Sequence, residues 1–274
     1  LLRVSPVKAL TDPVFDYAEP VFAGFFKTMK NGSWGLTNAE GETVIEHKLN
    51  DIQSINPNWA VGIDAGQWTF ISKTGQMQAT DSYGTIRAMD RRRIGVMQDG
   101  KWGLLGPDLK PILGHQYESI EPFGNDALLV YDGEHYYTVD TLGQPLSKTP
   151  IKEILPIEFG MSVALTADGW GVLGADGRFK FTPNKNALFV LGDERLLEKL
   201  DDGLTIRLLD TAGKSLATYT AEDTPDNRDR VNFMVTDHGT TQLQVGDYYY
   251  LYDKNGKPLN KTAYELIETF EVVE

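Results

Sequence analysis

The side chains able to carry chemistry are few in kind. The 274-residue chain has no Cys, which removes thiolate nucleophiles, disulfides, thiolate metal sites and iron–sulfur clusters. Its four His, at 47, 115, 135 and 238, do not stand at a His-x-x-x-His spacing, so a His-based zinc site is not expected. No Gly-x-Ser-x-Gly elbow and no phosphate-cradling Gly loop ending in Lys-Ser/Thr occurs. Asp253-Lys254-Asn255-Gly256 imitates the opening of a calcium loop, yet Tyr264 stands where the twelfth-position Glu is needed. Similar Asp-led turns begin at Asp140 and Asp210, which makes this hairpin chemistry. Carboxylates are so abundant that spacing alone picks out no glycosidase pair. The expectation is therefore no catalytic residue, no metal and no cofactor.

Binding is the chemistry left, and four places break the surrounding pattern. Arg91, Arg92 and Arg93, after Asp90, form the densest cationic cluster, and Arg forks suit a carboxylate ligand. A solvated turn is the plainer account of them. The polar stretch from Tyr219 to Arg230 contains Asp226, Arg228 and Asp229, and reads as a recognition loop or a tolerated insertion. Tyr248 and Tyr250 face one way on a strand and could stack on a sugar, anchor a partner or pack internally. Trp59, after Asn56-Pro57-Asn58, is an exposed contact residue or the core of its own strand.

Charge narrows the partners. With 39 acidic and 26 basic residues the formal charge is −13. Nucleic-acid affinity depends on cations neutralising phosphates, so a nucleic acid is not expected. The same balance disfavours anionic lipid surfaces. No apolar run approaches the length of a membrane-spanning helix. Residues 1 to 4 are too few to be read as a signal peptide.

The elements that must position these residues follow from a ladder. Trp34, Trp68, Trp102, Tyr136 and Trp170 are each 34 residues after the last. A Gly lies seven residues past four of them, at 41, 75, 143 and 177, while the third rung has Leu109 there. Ile206 with Gly213 and Tyr249 with Gly256 extend the pattern at wider steps of 36 (206 − 170) and 43 (249 − 206) residues. A fixed period means one structural unit copied along the chain, here seven times. Asn31-Gly32, Asp99-Gly100 and Asp132-Gly133 are hairpin turns before the rung. Four-residue turns follow it, most opening on Asp, Asn or Ser. Turns every 8 to 12 residues between alternating strands make the chain all-β, with about four short antiparallel strands per unit. The segment from Asp193 to Leu200 reads better as a hairpin than as a helix. Trp34 and Leu36 share a core face, and Gly35, Gly103 and Gly171 between such pairs mark where neighbouring repeats should stack.

Gly32-Ser33-Trp34-Gly35-Leu36, Gly100-Lys101-Trp102-Gly103-Leu104 and Gly169-Trp170-Gly171-Val172 resemble the WG repeat family of bacterial proteins. Tyr117-Glu118-Ser119-Ile120 and Tyr264-Glu265-Leu266-Ile267 resemble the segment between such repeats. The resemblance covers residues 17 to 270 in pieces, and Ile206 and the missing Gly after Trp68, Tyr136 and Tyr249 depart from it. It implies a repeat-built β structure, found in envelope proteins or interaction modules, and no catalytic residues.

Four-stranded units of this size suit one domain over 1–274, a β-propeller of seven blades, with an open β-solenoid as the alternative. Residues 264–273 repeat the first-strand pattern and are expected to pair with the first unit and close the ring. The expected function is non-enzymatic binding of a protein partner, as in an inhibitor or immunity protein, in the bacterial periplasm, at the cell surface or, alternatively, in the cytoplasm. The alternative is an envelope protein that binds or cleaves glycans with carboxylates in a central channel.

Overall fold

Turn chemistry builds the strands. In the computed structural model, Asn31 and Gly32, Ala65 and Gly66, and Asp99 and Gly100 have paired positive φ angles. That is the type I′ hairpin, whose twist matches the flanking strands. The turns after the rung close through side chains. Asn38 Oδ1 accepts the N–H of Glu40 and Glu42, and Asp140, Asp210 and Asp253 make the same two bonds at +2 and +4. Where Gly106 and Gly174 open the turn, Asp108 and Asp176 accept from Lys110 and Arg178 instead.

The structure describes residues 14–80, 83–181, 184–192, 194–224, 231–235, 240–253, 255–259, 262 and 264. All elements among them are strands. The chain divides into two compact halves, Leu1–Pro122 and Phe123–Glu274.

The first half holds three four-stranded antiparallel meanders. Repeat 1 is β1 (Tyr17–Phe22), β2 (Phe25–Lys30), β3 (Ser33–Asn38) and β4 (Thr43–Leu49). Repeat 2 is β5 (Asp51–Asn56), β6 (Trp59–Asp64), β7 (Gln67–Ser72) and β8 (Met77–Ala79). Repeat 3 is β9 (Thr85–Ala88), β10 (Ile94–Gln98), β11 (Lys101–Leu105) and β12 (Pro111–Tyr117). After β13 (Ser119–Phe123), the second half continues with β14 (Ala127–Tyr131), β15 (Tyr136–Val139), β16 (Ile151–Ile154), β17 (Met161–Thr166) and β18 (Gly169–Gly174). Here two repeats merge into one sheet, because β15 pairs with β16 through Tyr136 and Ile151. Repeat 6 is β19 (Ala187–Gly192), β20 (Arg195–Lys199), β21 (Thr205–Asp210) and β22 (Ser215–Thr220). The first two of these strands form the hairpin expected there. Repeat 7 shows β23 (Val231–Val235), β24 (Thr241–Val245) and β25 (Tyr248–Tyr252).

Every rung of the ladder lies in the third strand of its meander. The residue two places further on is buried in six repeats: Leu36, Phe70, Leu104, Thr138, Val172 and Leu208 are each at most 2% exposed. Trp34, Trp68, Tyr136 and Trp170 are half-buried, and they lie at the rim of clusters shared with the following repeat. Trp34 borders a cluster in which Leu36 and Leu49 meet Ile52, Ala60 and Ile71. Trp68 borders Val61 and Phe70 against Ile86, Ile94 and Val96. In the second half Trp170 borders Val163 and Val172 against Leu188, Leu196 and Leu209. The apolar side chains thus join sheet to sheet, each fully buried Leu or Phe contributing about 1.5–3 kcal/mol.

The Gly seven residues past the rung reaches the other way. A Cβ on Gly75 would lie 2.5 Å from Val44 and 3.5 Å from Leu36 and Phe25, all in the preceding repeat. Gly177, Gly213 and Gly256 meet Leu146, Phe181 and Leu216 of their preceding repeats in the same way. Leu109 takes this place in repeat 3 at φ +62° and packs on the cluster between repeats 2 and 3. The seven-residue motif therefore touches both neighbours.

One expectation is corrected. Gly35 and Gly103 are not where repeats stack. A Cβ on Gly35 would meet the Ile45 carbonyl at 2.6 Å and the His47 ring at 3.0 Å, and one on Gly103 would meet the His115 ring at 2.8 Å. Both neighbours belong to the fourth strand of the same repeat. Both β4 and β12 bulge there: the pairs Trp34↔Leu49 and Leu36↔Ile45 recur as Trp102↔Tyr117 and Leu104↔Leu113. The small residue makes room for a bulged strand and its imidazole.

Candidate functional site

The candidate site is the first hairpin of repeat 5, in the second half. From β16 the backbone N–H of Leu155 bonds to Val163 O at 2.9 Å, which keeps the hairpin paired beyond the strand. Glu158 and Met161 exchange two backbone bonds of 2.7 and 2.9 Å, closing a two-residue turn. The central residues are Phe159 at φ +49° and Gly160 at φ +74°. A type I′ turn takes Asn-Gly or Asp-Gly readily, whereas a bulky L-residue in the left-handed region costs roughly 1–2 kcal/mol.

The strained residue gains little burial in return, since Phe159 is 73% exposed. One edge of its ring rests against Gly192, where a Cβ would lie 3.1 Å from the ring. Leu155, Ile157 and Phe189 are 37%, 37% and 44% exposed. Leu155, Pro156, Val163, Phe189 and Val190, with Glu158, line a cavity of about 210 Å³ beneath them. Segments 151–160 and 187–194 carry four acids (Glu153, Glu158, Asp193, Glu194) and one cation (Lys152), a balance of 1 − 4 = −3. Glu153, Glu158 and Glu194 are exposed. An apolar surface with an acidic rim suits an apolar anchor flanked by cations.

Among the described residues, those picked from the sequence stand on elements other than this hairpin. Arg91 and Arg92 are exposed in the turn between β9 and β10. Arg93 is corrected from a surface cation to a buried one at 4% exposure, with its Nε 2.6 Å from Asp90 Oδ2. Asp90 Oδ1 also accepts the N–H of Arg92 and Arg93. Burial pushes the Asp90 carboxyl up, but these hydrogen bonds and the Arg93 charge outweigh it and hold the pKa below the ordinary carboxylate value. Trp59 is half-buried, 6.0 Å from the Phe70 ring, and donates its indole N–H to Pro107 O at 2.8 Å. It ties repeat 2 to a turn of repeat 3. Tyr248 is 51% exposed, whereas Tyr250 packs 6.2 Å from Tyr219 at the cluster between repeats 6 and 7. Asp226, Arg228 and Asp229 lie outside the described residues, as does His238. Tyr264 pairs with Tyr249 in both directions, at 2.8 and 3.0 Å, as the end of repeat 7 itself. The rest of the expected closing segment, 265–273, lies outside the described residues.

Among the described residues no group of three or more His, Asp or Glu is placed to hold a metal ion. No helix among them is long and apolar enough to cross a membrane. The Phe159 hairpin obeys the 34-residue period, so spacing alone does not single it out. Its signal was chemical: Phe159-Gly160 occupies a turn where Asn-Gly belongs.

Fold and site together define an all-β repeat protein with an exposed apolar loop. No protein-family model matches the chain, and no curated protein matches it. It is similar to the solved structure of Kluyveromyces lactis Hsv2, at 10% identity and a TM-score of 0.32 over 86% of this chain and 93% of that one. It is also similar to PorZ, a bacterial surface component of the type-IX secretion system of Porphyromonas gingivalis, at 12% identity and a TM-score of 0.28 over 80% and 33%. Likenesses this remote carry nothing about function to this chain.

Proposed function

We propose that this chain is a non-enzymatic binding protein on a WG-type repeat scaffold, seven repeats closed as a β-propeller, and that it captures a protein partner at the Phe159 hairpin. The observation that carries the reading is Phe159, a bulky residue held at φ +49° and 73% exposed. Local rules are broken most often where function requires it. The partner presents an apolar side chain flanked by Lys or Arg, which complements the acidic rim and the overall −13 charge. An inhibitor or immunity role, in which the acidic protein covers a basic effector, fits that chemistry. A place in the bacterial periplasm or at the cell surface rests on the WG resemblance alone.

A photo-crosslinking side chain at Phe159 tests this in the native host. The expected result is one discrete adduct that is lost in a Glu153→Lys, Glu158→Lys background and at high salt. The same probe at Leu142, 70% exposed in another turn, should give none. Phe159→Asn should abolish the adduct's unmodified complex while leaving the thermal midpoint unchanged or raised, because Asn accepts the left-handed φ. An adduct of equal yield from both positions, or indifferent to the charge reversals, overturns the assignment.

A further inference from the structure

A second cavity lies in a different repeat. It is a cleft of about 770 Å³ in repeat 2, lined by Asp64, Gln67, Trp68, Thr69, Thr80 and Tyr83 among others. Its origin is a short fourth strand. In repeats 1 and 3 the rung pairs with the residue fifteen places on, Trp34 with Leu49 and Trp102 with Tyr117. In repeat 2 the pairing of β7 with β8 runs only from Ile71↔Met77 to Thr69↔Ala79. The Trp68 carbonyl instead accepts the hydroxyl of Thr80 at 2.7 Å. Thr69 stands where the other two repeats have Gly, so the bulge of β4 and β12 has no counterpart in the β7–β8 register. The cleft opens beside Trp68 as a result.

Trp68 is only half-buried: it packs against the cluster of Val61, Phe70 and Ile86 and also lines the cleft. Its indole N–H points to Gly84 O at 3.4 Å, which orients the ring. Tyr83 supplies a second aromatic wall. The polar groups are mostly uncharged. Thr69 and Thr80 spend their hydroxyl protons on Gln78 O and Trp68 O, and keep lone pairs free to accept. Gln67 is exposed at the start of β7, cross-strand from Asp64. Asp64 is the one acid among the described lining residues, and Lys48 pairs with it at 3.3 Å.

We infer that this cleft is a binding site for a neutral oligosaccharide. A pyranose ring offers an apolar face of C–H groups and an equator of hydroxyls, and this lining offers an indole face and a rim of donors and acceptors. Its volume falls within the roughly 300–1,000 Å³ of small-ligand sites. The described lining residues include no cation, so they offer a phosphate-bearing ligand no charged partner. The site stands in the first half of the chain and is independent of the Phe159 hairpin.

The test is titration of the full chain with cellohexaose, chitohexaose and maltohexaose, followed by calorimetry and by the indole N–H resonances. At least one should bind with a Kd of about 1 mM or tighter and shift the Trp68 indole resonance while leaving that of Trp102 in place. Asp64→Ala with Gln67→Ala, both flanking an exposed turn, should weaken that binding about tenfold at an unchanged thermal midpoint. Trp68→Phe, which keeps an apolar ring on the cluster, should weaken it as well. Failure of all three sugars to bind at about 10 mM overturns the proposal. So does binding that leaves the Trp68 resonance unmoved or survives the double substitution, and so does capture of choline with none of the sugars, which would make the cleft an aromatic cation site.

Discussion

At the scale of single residues, the rung is a packing device whose depth varies. Trp102 is the most buried Trp of the ladder at 9% exposure, and the Arg87 guanidinium lies 4.2 Å from its ring centroid. Arg87 reaches on to the Ile120 carbonyl and to Glu121 at 3.0 Å, so the ring is covered by a side chain that is itself anchored. Trp102→Ala should cost about 3–5 kcal/mol in urea unfolding, and a loss under about 1 kcal/mol would show that the rung carries little of the packing. His47 carries a different consequence. It fills the space over Gly35 and shares a 2.8 Å hydrogen bond between its Nε2 and Thr28 Oγ1. Burial, with repulsion from Lys30, lowers its pKa below the ordinary 6.5, and Glu46 opposes this. The unfolded chain then takes up the proton first as the pH falls. The stabilisation from neutral His47 is complete above about pH 6.5 and is lost as the pH drops through the folded-state value. Stability of the His47→Gln variant should depend less on pH over about 7 to 5, and the His47 ring should titrate below 6.5 by NMR. A midpoint at or above 6.5 would contradict the lowered pKa of this half-buried ring.

At the scale of elements, one glycine position separates backbone conformation from packing. Gly66 and Gly75 both have positive φ, at 84° and 77°. A Cβ on Gly66 meets nothing within 4 Å, while one on Gly75 lies 2.5 Å from Val44. Gly66→Ala should therefore cost only the left-handed penalty of roughly 1–2 kcal/mol. Gly75→Ala adds an overpacking term of about 1–3 kcal/mol and should destabilise clearly more. Equal losses in chemical denaturation would mean that the turn does not press on the preceding repeat. The ladder made these elements legible. The third-strand placement of every rung, the hairpin turns and the Asp-led closures all follow from spacing and turn chemistry that act within a few residues. What escaped depends on contacts at longer range. The alternation Trp34-Gly35-Leu36 marks Gly35 as a close approach, but only the bulge in β4 shows that the neighbour is His47 of the same repeat. Arg93 reads as one of three surface cations, and its burial depends on how Asp90 folds the turn back. The Trp68 cleft rests on a strand three residues long where its counterparts have seven, and no local signal in Met77-Gln78-Ala79 announces the early stop.

At the scale of the whole molecule, repeats lean on their neighbours within each half. In repeats 2, 5 and 6 the rung packs forward on the next sheet, and the closing Gly packs back on the previous one. An open row of such units leaves the back of the first and the front of the last uncovered, and repeat arrays handle this with polar caps. Repeat 1 keeps the same Trp34 and Gly41 as the interior units, and repeat 7 keeps an aromatic rung in Tyr249 with Gly256. In the proposed ring each terminal repeat would instead cover the other. The two arrangements differ in size. A 274-residue globule has a radius of gyration of about 19 Å. Seven sheets stacked at about 10 Å in an open row would span roughly 70 Å and raise that radius to about 22 Å. Small-angle X-ray scattering of the full chain should give the smaller value for the proposed seven-bladed ring. A radius of about 22 Å or more, with a maximum dimension near the length of the row, would replace the ring with a solenoid and leave both binding assignments to be judged on their own sites.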